Sequence, residues 1–233
     1  MSTQEAKPAE KFWEKFNFFA KNVLLNKKVF WSILSVILVV LVAGIILVMD
    51  REKKHNSVKE LYAKAFQKYQ EVEKNMDKLN MERAGIAISQ LEKVTETGYA
   101  FPENFLAYYE LGNIYAALDK LELAQKYYLK LKEADEDFFV RGKALLNLAK
   151  IYQTQKKYDE AIEIFELLIS DYDNYYQDMA YFFMGMVYEA KNETDKAISS
   201  YKMVRKDTSY QFEAEKNIEV LNRLQNLETE SAK

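Results

Sequence analysis

Residues 29 to 49, VFWSILSVILVVLVAGIILVM, hold no charged side chain, and their only polar side chains are Ser32 and Ser35. A helix of that length would extend about 31 Å at about 1.5 Å per residue, against a bilayer hydrocarbon core of about 30 Å. Lipid gives backbone N–H and C=O groups no partners, so a run like this spans as a helix bonded within itself. The core helix of a soluble protein would keep a polar face. The stretch therefore predicts one transmembrane helix, with a short tail before it and a soluble domain after it. A secretory signal peptide has a shorter apolar core and a small-residue cleavage site. Here the run continues into MDREKKHNS, so the helix is expected to stay as an anchor.

The tail, residues 1–28, divides in two. Residues 1–9, MSTQEAKPA, are small and polar and are expected to be disordered. Residues 10–28 place Phe12, Trp13, Phe16, Phe19 and Val23 three to four apart, with Lys11, Lys15, Lys21, Lys27 and Lys28 between them. That pattern suits a helix in the headgroup layer, aromatics inserted and lysines reaching lipid phosphates. The lipid bilayer is thus the expected partner of residues 10–49. A plain helical extension of the anchor is the alternative. Orientation is not decided by charge. Five lysines before the anchor face Arg51, Lys53, Lys54, Lys59, Lys64 and Lys68 after it, a near tie under the positive-inside rule.

Composition narrows the remainder. The formal net charge is −3, with +3 in residues 1–49 and −6 in residues 50–233. An acidic soluble part argues against nucleic acid as a partner, since phosphate binding needs a clustered basic face. Only 6 Gly and 2 Pro occur, and the abundance of Ala, Leu, Lys, Glu and Tyr favours an all-α domain. No cysteine is present, which excludes disulfides, thiolate metal sites and a cysteine nucleophile. The single histidine, His55, stands just past the anchor among charged residues and belongs to no recognisable ligand or triad motif. No phosphate loop, HExxH or GxSxG motif occurs. Asp135, Glu136 and Asp137 read as solvated residues of a turn. No catalytic residue, metal ligand or cofactor site is expected, and the chain is not expected to be an enzyme.

Internal repetition organises residues 57–229. AYYELGNIYAALDKLELAQKYYLKL begins at Ala107, ALLNLAKIYQTQKKYDEAIEIFELL at Ala144 and AYFFMGMVYEAKNETDKAISSYKMV at Ala180, offsets of 37 and 36. In each, a small residue (Gly112, Ala149, Gly185) precedes a tyrosine by three (Tyr115, Tyr152, Tyr188). An alanine follows (Ala124, Ala161, Ala197), and then an aromatic (Tyr128, Phe165, Tyr201). Small residues let the two helices of a pair approach closely, and the aromatics fill the space to the next pair.

This pattern resembles the tetratricopeptide repeat, whose usual period is about 34 residues. The longer period here implies extended helices or longer turns. The resemblance implies an α-solenoid of antiparallel helix pairs, with repeats at about 105–138, 142–175 and 178–211. A degenerate repeat at about 57–97 would precede them. There Leu61, Ala65, Phe66, Tyr69, Val72 and Met76 share a face, and Ala87 and Leu91 match Ala161 and Phe165. A capping helix at about 211–227, with Phe212, Ile218, Leu221 and Leu224, would close the array, and LETESAK after it is expected to fray. The resemblance also implies a concave groove that binds proteins or peptides, lined by Tyr109, Asn113 and Ala116, then Lys143, Leu146, Asn147 and Lys150, then Phe182, Met186 and Glu189. Some such proteins grip a peptide carboxylate with two basic residues and asparagines. Asn113 and Asn147 match that pattern, but Met179 and Phe183 stand at the basic positions, so an apolar or aromatic groove is expected.

The short aromatic and basic tail, the anchor near residue 30 and the following repeats also resemble bacterial inner-membrane proteins of this class. One is the ancillary subunit of the secretion translocon, which holds its repeats in the periplasm. By that resemblance the protein is single-pass in the inner membrane with a periplasmic interaction domain, serving secretion, chaperone or envelope assembly. A self-associating scaffold of an envelope or division complex is the alternative, with homo-oligomers as its signature. An organelle import receptor would need the carboxylate clamp.

Overall fold

The computed structural model describes residues 8–76, 81–134, 140–172 and 175–231. It falls into two compact units, residues 1–56 and 57–233. The expected turn at Asp135, Glu136 and Asp137 lies outside the described residues, as do residues 1–7.

In the first unit, α1 (Pro8–Leu25) is amphipathic, and its aromatics cluster. Trp13 meets Phe16 edge-on with ring centres 5.6 Å apart, and Phe12 stacks on Phe16 at 6.3 Å. Pro8 and Ala9, expected in a disordered tail, instead open this helix, where proline's missing N–H costs nothing. The helix stops before Asn26, whose side-chain oxygen accepts from the Lys28 and Val29 backbone N–H groups at 3.2 and 3.4 Å, capping a new helix. That helix, α2 (Lys27–Glu73), begins in the first unit and ends in the second. It is the one described helix long and apolar enough to cross a membrane, with a mean hydropathy of 3.1 and none of that window buried. Its two serines donate to their own helix, Ser32 Oγ to the Lys28 carbonyl and Ser35 Oγ to that of Ser32, so neither leaves a bare polar group. By length and composition the same helix suits a membrane span or a signal sequence.

The second unit is all helix among its described residues. After residues 57–73 of α2 come α3 (Met81–Thr95), α4 (Pro102–Ala117), α5 (Leu121–Lys132), α6 (Arg141–Thr154) and α7 (Tyr158–Asp171). Then follow α8 (Tyr175–Ala190), α9 (Thr194–Lys202) and α10 (Gln211–Ser231). Consecutive helices pack antiparallel, α4 on α5, α6 on α7 and α8 on α9, and each pair stacks on the next. A core from Val58 to Val187 runs through the stack, and a second apolar cluster under α10 joins Phe182, Tyr201, Tyr210 and Leu221.

The repeat shows most sharply in its turns. Asp119, Lys156 and Asn192 all have positive φ, at 56, 58 and 59°. In each turn the next N–H reaches back to the tyrosine carbonyl, from Lys120 to Tyr115, Lys157 to Tyr152 and Glu193 to Tyr188, at 2.8–2.9 Å. That is the Schellman arrangement, which usually puts glycine at this position. The small residues act as expected. A Cβ on Gly112 would lie closer than 3.0 Å to the Tyr128 ring, and one on Gly185 would do the same to Tyr201. Longitudinal ties are polar. Asn104 is buried at the start of α4 and donates to the Val94 carbonyl at 2.7 Å and to Thr97 Oγ1 at 2.9 Å, fastening α4 to the end of α3. LETESAK, expected to fray, is helical as far as Ser231.

Candidate functional site

In the second unit, residues 57–76 and three further helices line a cleft of about 460 Å³. Residues 57–76 give it Tyr69, Glu73 and Met76. From α4 come Asn113 and Ala116, from α5 Tyr128, and from α6 Asn147, Lys150, Ile151 and Thr154. Tyr69 and Glu73 stand one turn apart on one face of α2, and Met76 follows in the turn after its end.

A hydrogen-bonded array runs along the cleft. The Tyr128 hydroxyl donates to Asn113 Oδ1 at 2.8 Å, and Asn113 Nδ2 donates to the Tyr69 hydroxyl at 3.4 Å. Asn147 Nδ2 donates to Asn113 Oδ1 at 3.3 Å and to the Tyr128 hydroxyl at 3.2 Å. Tyr69 in turn donates to Glu73 Oε1 at 3.3 Å. Burial raises the Tyr69, Tyr109 and Tyr128 hydroxyls above the usual phenol range, so all three remain protonated. The Lys150 ammonium lies 4.8 Å from the centre of the Phe183 ring, a cation–π contact at the cleft's far side. The surface therefore offers neutral donors and acceptors, aromatic faces, an acid at one edge and a cation at the other. It suits a polypeptide, whose backbone presents alternating N–H and C=O groups.

Beneath this array lies Glu110, one turn before Asn113 on α4 and 4 % exposed. Tyr62 donates to its Oε1 at 2.6 Å, while its buried Oε2 has no hydrogen-bond partner. Burial pushes its carboxyl up to about 7, against the lowering effect of the Tyr62 hydrogen bond and with help from the Glu73 charge.

The expected groove residues separate into three groups. Asn113, Asn147 and Lys150 line the cleft, and Tyr109 sits beside them with its ring 6.4 Å from that of Tyr128. Lys143 and Met186 are exposed but do not line it. Leu146 and Phe182, expected in the groove, do not form its surface. Leu146 is buried in the main core, and Phe182 is closed off by Tyr201 and Tyr210, whose rings lie 5.7 and 5.1 Å away. Of the two carboxylate-clamp positions, Met179 is buried, and Phe183 stacks on Phe165 under Lys150. Tyr69, Glu73, Met76, Tyr128, Ile151 and Thr154 line the cleft beyond the expected residues. Tyr69 and Tyr128 stand at positions expected to pack, and their hydroxyls are what reach the cleft.

A family model for the tetratricopeptide repeat-like domain matches residues 28–228. No curated protein matches the chain. Among solved structures, a crystal structure of MamA protein is 20% identical with a TM-score of 0.56, covering 75% of this chain and 87% of its own. A second crystal structure of MamA is 23% identical at a TM-score of 0.49, covering 63% and 81%. A Podosopora anserina protein of nearly identical TPR-like repeats is 14% identical at 0.50, covering 76% and 90%.

Proposed function

The chain belongs to the tetratricopeptide repeat-like domain family, and from that premise we propose that it is a membrane-anchored module that binds extended polypeptide segments in the cleft between residues 57–76, α4 and α6. The observation that carries this reading is the neutral ladder Tyr69–Asn113–Tyr128–Asn147. It presents side-chain amide and hydroxyl groups in a row, with Met76 and Ile151 as apolar contacts. Binding rather than catalysis is the role, since the ladder holds no activated nucleophile or base. Residues 10–49 hold the protein at a bilayer, with α1 in the interface and residues 29–49 of α2 across it. By the translocon analogy the repeats face the periplasm of a bacterial inner membrane, where partners would be secreted chains, chaperones or envelope proteins.

The test uses the full chain in its membrane. A photo-crosslinker at Lys150, in the cleft, should capture polypeptides that the same probe at Lys130, on α5 outside it, does not. Equal capture at both sites, or none at Lys150, would remove the cleft from consideration. A reporter active only outside the cytoplasm, fused after Lys233, should be active. Activity of a cytoplasmic reporter at that position instead would end the periplasmic reading.

A self-associating scaffold is the second reading, favoured by one observation. On α10, Val220, Leu224 and Leu227 are exposed at three- and four-residue spacing, so the last helix leaves an apolar stripe uncovered. A mass that rises with concentration, and returns to monomer in Leu224→Glu, would support it. A concentration-independent monomer would exclude it.

A further inference from the structure

The second unit seats residues 57–76 against α4 through side chains placed above an unusual neighbour. Val58, Ala65, Tyr69 and Val72 are buried, but the polar contacts of this segment with α4 run through Tyr62 to Glu110 and through Tyr69 to Asn113. Glu110 carries one donor on a carboxylate with room for several, and its second oxygen is sealed from solvent. The charged or titratable groups acting on it both come from α2, the Tyr62 hydroxyl and the Glu73 carboxylate. On α4 itself, Glu103, two turns earlier, adds a third negative charge near Tyr62. A neutral carboxyl is comfortable in this setting. An ionised one is desolvated among acids, and hydration of its second oxygen requires the two helices to part. Both of these helices line the cleft.

We propose that Glu110 and Tyr62 form a proton-operated latch that sets how firmly residues 57–76 close the cleft: seated while Glu110 is protonated, loosened once it ionises. This rests on the cleft being the polypeptide site and adds its regulation. Ligand held under mildly acidic conditions is released as the surroundings turn alkaline. The raised titration of the buried carboxyl places this change near neutrality rather than in the acid range of an ordinary glutamate.

Hydrogen exchange on the full chain in nanodiscs tests the latch without any ligand. Amides of residues 57–76, corrected for the intrinsic pH dependence of exchange, should lose about tenfold or more of their protection between pH 6 and 8 relative to amides of α6. In Glu110→Gln the same amides should stay protected throughout. Tyr62→Phe removes the hydrogen bond that favours the ionised form, so its loss of protection should move to higher pH. A wild-type profile flat with pH would overturn the latch, as would one shared by Glu110→Gln. So would a midpoint in Tyr62→Phe that stays put or moves down. Crosslinking at Lys150, measured at pH 6 on the same samples, reports separately on the polypeptide site. The latch can fail while capture persists, and capture can fail while the latch operates.

Discussion

Two carboxylates are buried among the described residues of the solenoid, and the two ends treat them in opposite ways. At the C-terminal end Asp178, at the start of α8, is 3 % exposed. Arg205 meets it from the loop after α9. Its Nε donates at 3.1–3.2 Å, its terminal nitrogen at 2.6 Å and its backbone N–H at 3.0 Å. Burial alone would raise the Asp178 carboxyl, but the hydrogen bonds and charge of Arg205 outweigh it and hold the group below the usual range. At the N-terminal end Glu110 has a phenol and a neighbouring acid in place of an arginine, and its carboxyl moves the other way. The comparison teaches that burial does not by itself determine what an acid does. A paired carboxylate is a permanent rivet, and an unpaired one titrates where the cell can reach it.

Breaking the rivet should have the largest effect. Asp178→Ala takes from the loop after α9 the buried carboxylate that accepts the Arg205 side-chain and backbone hydrogen bonds, for an expected loss of about 3 kcal/mol in urea denaturation. Next come the glycines at the two ends. Gly112→Ala and Gly185→Ala each drive a methyl into a tyrosine ring, and overpacking of that kind costs about 2 kcal/mol. Gly112→Ala should also move the Tyr128 hydroxyl off Asn113 and weaken capture at the cleft, which Gly185→Ala should leave intact.

The pH dependence sharpens the contrast further. Glu110 binds its proton more tightly folded than unfolded. Its favourable share of stability is therefore full below the ordinary glutamate range and is lost as pH rises through about 7. Glu110→Gln should gain about 1–2 kcal/mol at pH 8 and little at pH 4, read from urea midpoints at both. Asp178 has the opposite sign. Its contribution is full above the ordinary aspartate range and fades as pH falls through its depressed value, so Asp178→Asn should lower stability at neutral pH and flatten the acid limb. The smallest effect belongs to the turns. Lys156→Gly relieves a positive φ and should stabilise by about 0.5 kcal/mol, measured as a rise in Tm.

Much of this was legible in local pattern. The 37- and 36-residue offsets located three helix pairs, and Gly112 and Gly185 marked where the two helices of a pair come close, though not that Tyr128 and Tyr201 are the rings they meet. Asn113, Asn147 and Lys150, placed by the resemblance to the repeat family, fell in the cleft. Leu146 did not, because one residue turns a helix by about 100°, and the neighbour of a cleft asparagine therefore points into the core. Phe182 failed for another reason. Whether the last pair exposes its inner face depends on Tyr210 and α10, which lie outside the repeat. The Tyr62–Glu110 bond joins positions 48 apart in the chain, and no periodicity relates them. Buried polar pairs between a degenerate repeat and its neighbour are set by shape, which a sequence pattern does not carry.

The match between small residue and ring has a consequence for how such arrays can be rebuilt. Two pairs combine glycine with tyrosine, Gly112 with Tyr128 and Gly185 with Tyr201, and both tyrosine hydroxyls go on to find acceptors, Asn113 and Glu189. At the corresponding positions the middle pair carries Ala149 and Phe165, a methyl and a ring with no hydroxyl to seat. The three pairs are therefore keyed. A chimera joined between pairs keeps each key with its lock. One joined at the turns of Asp119, Lys156 or Asn192 can set a tyrosine over an alanine, and it should fold poorly even though every helix in it is native.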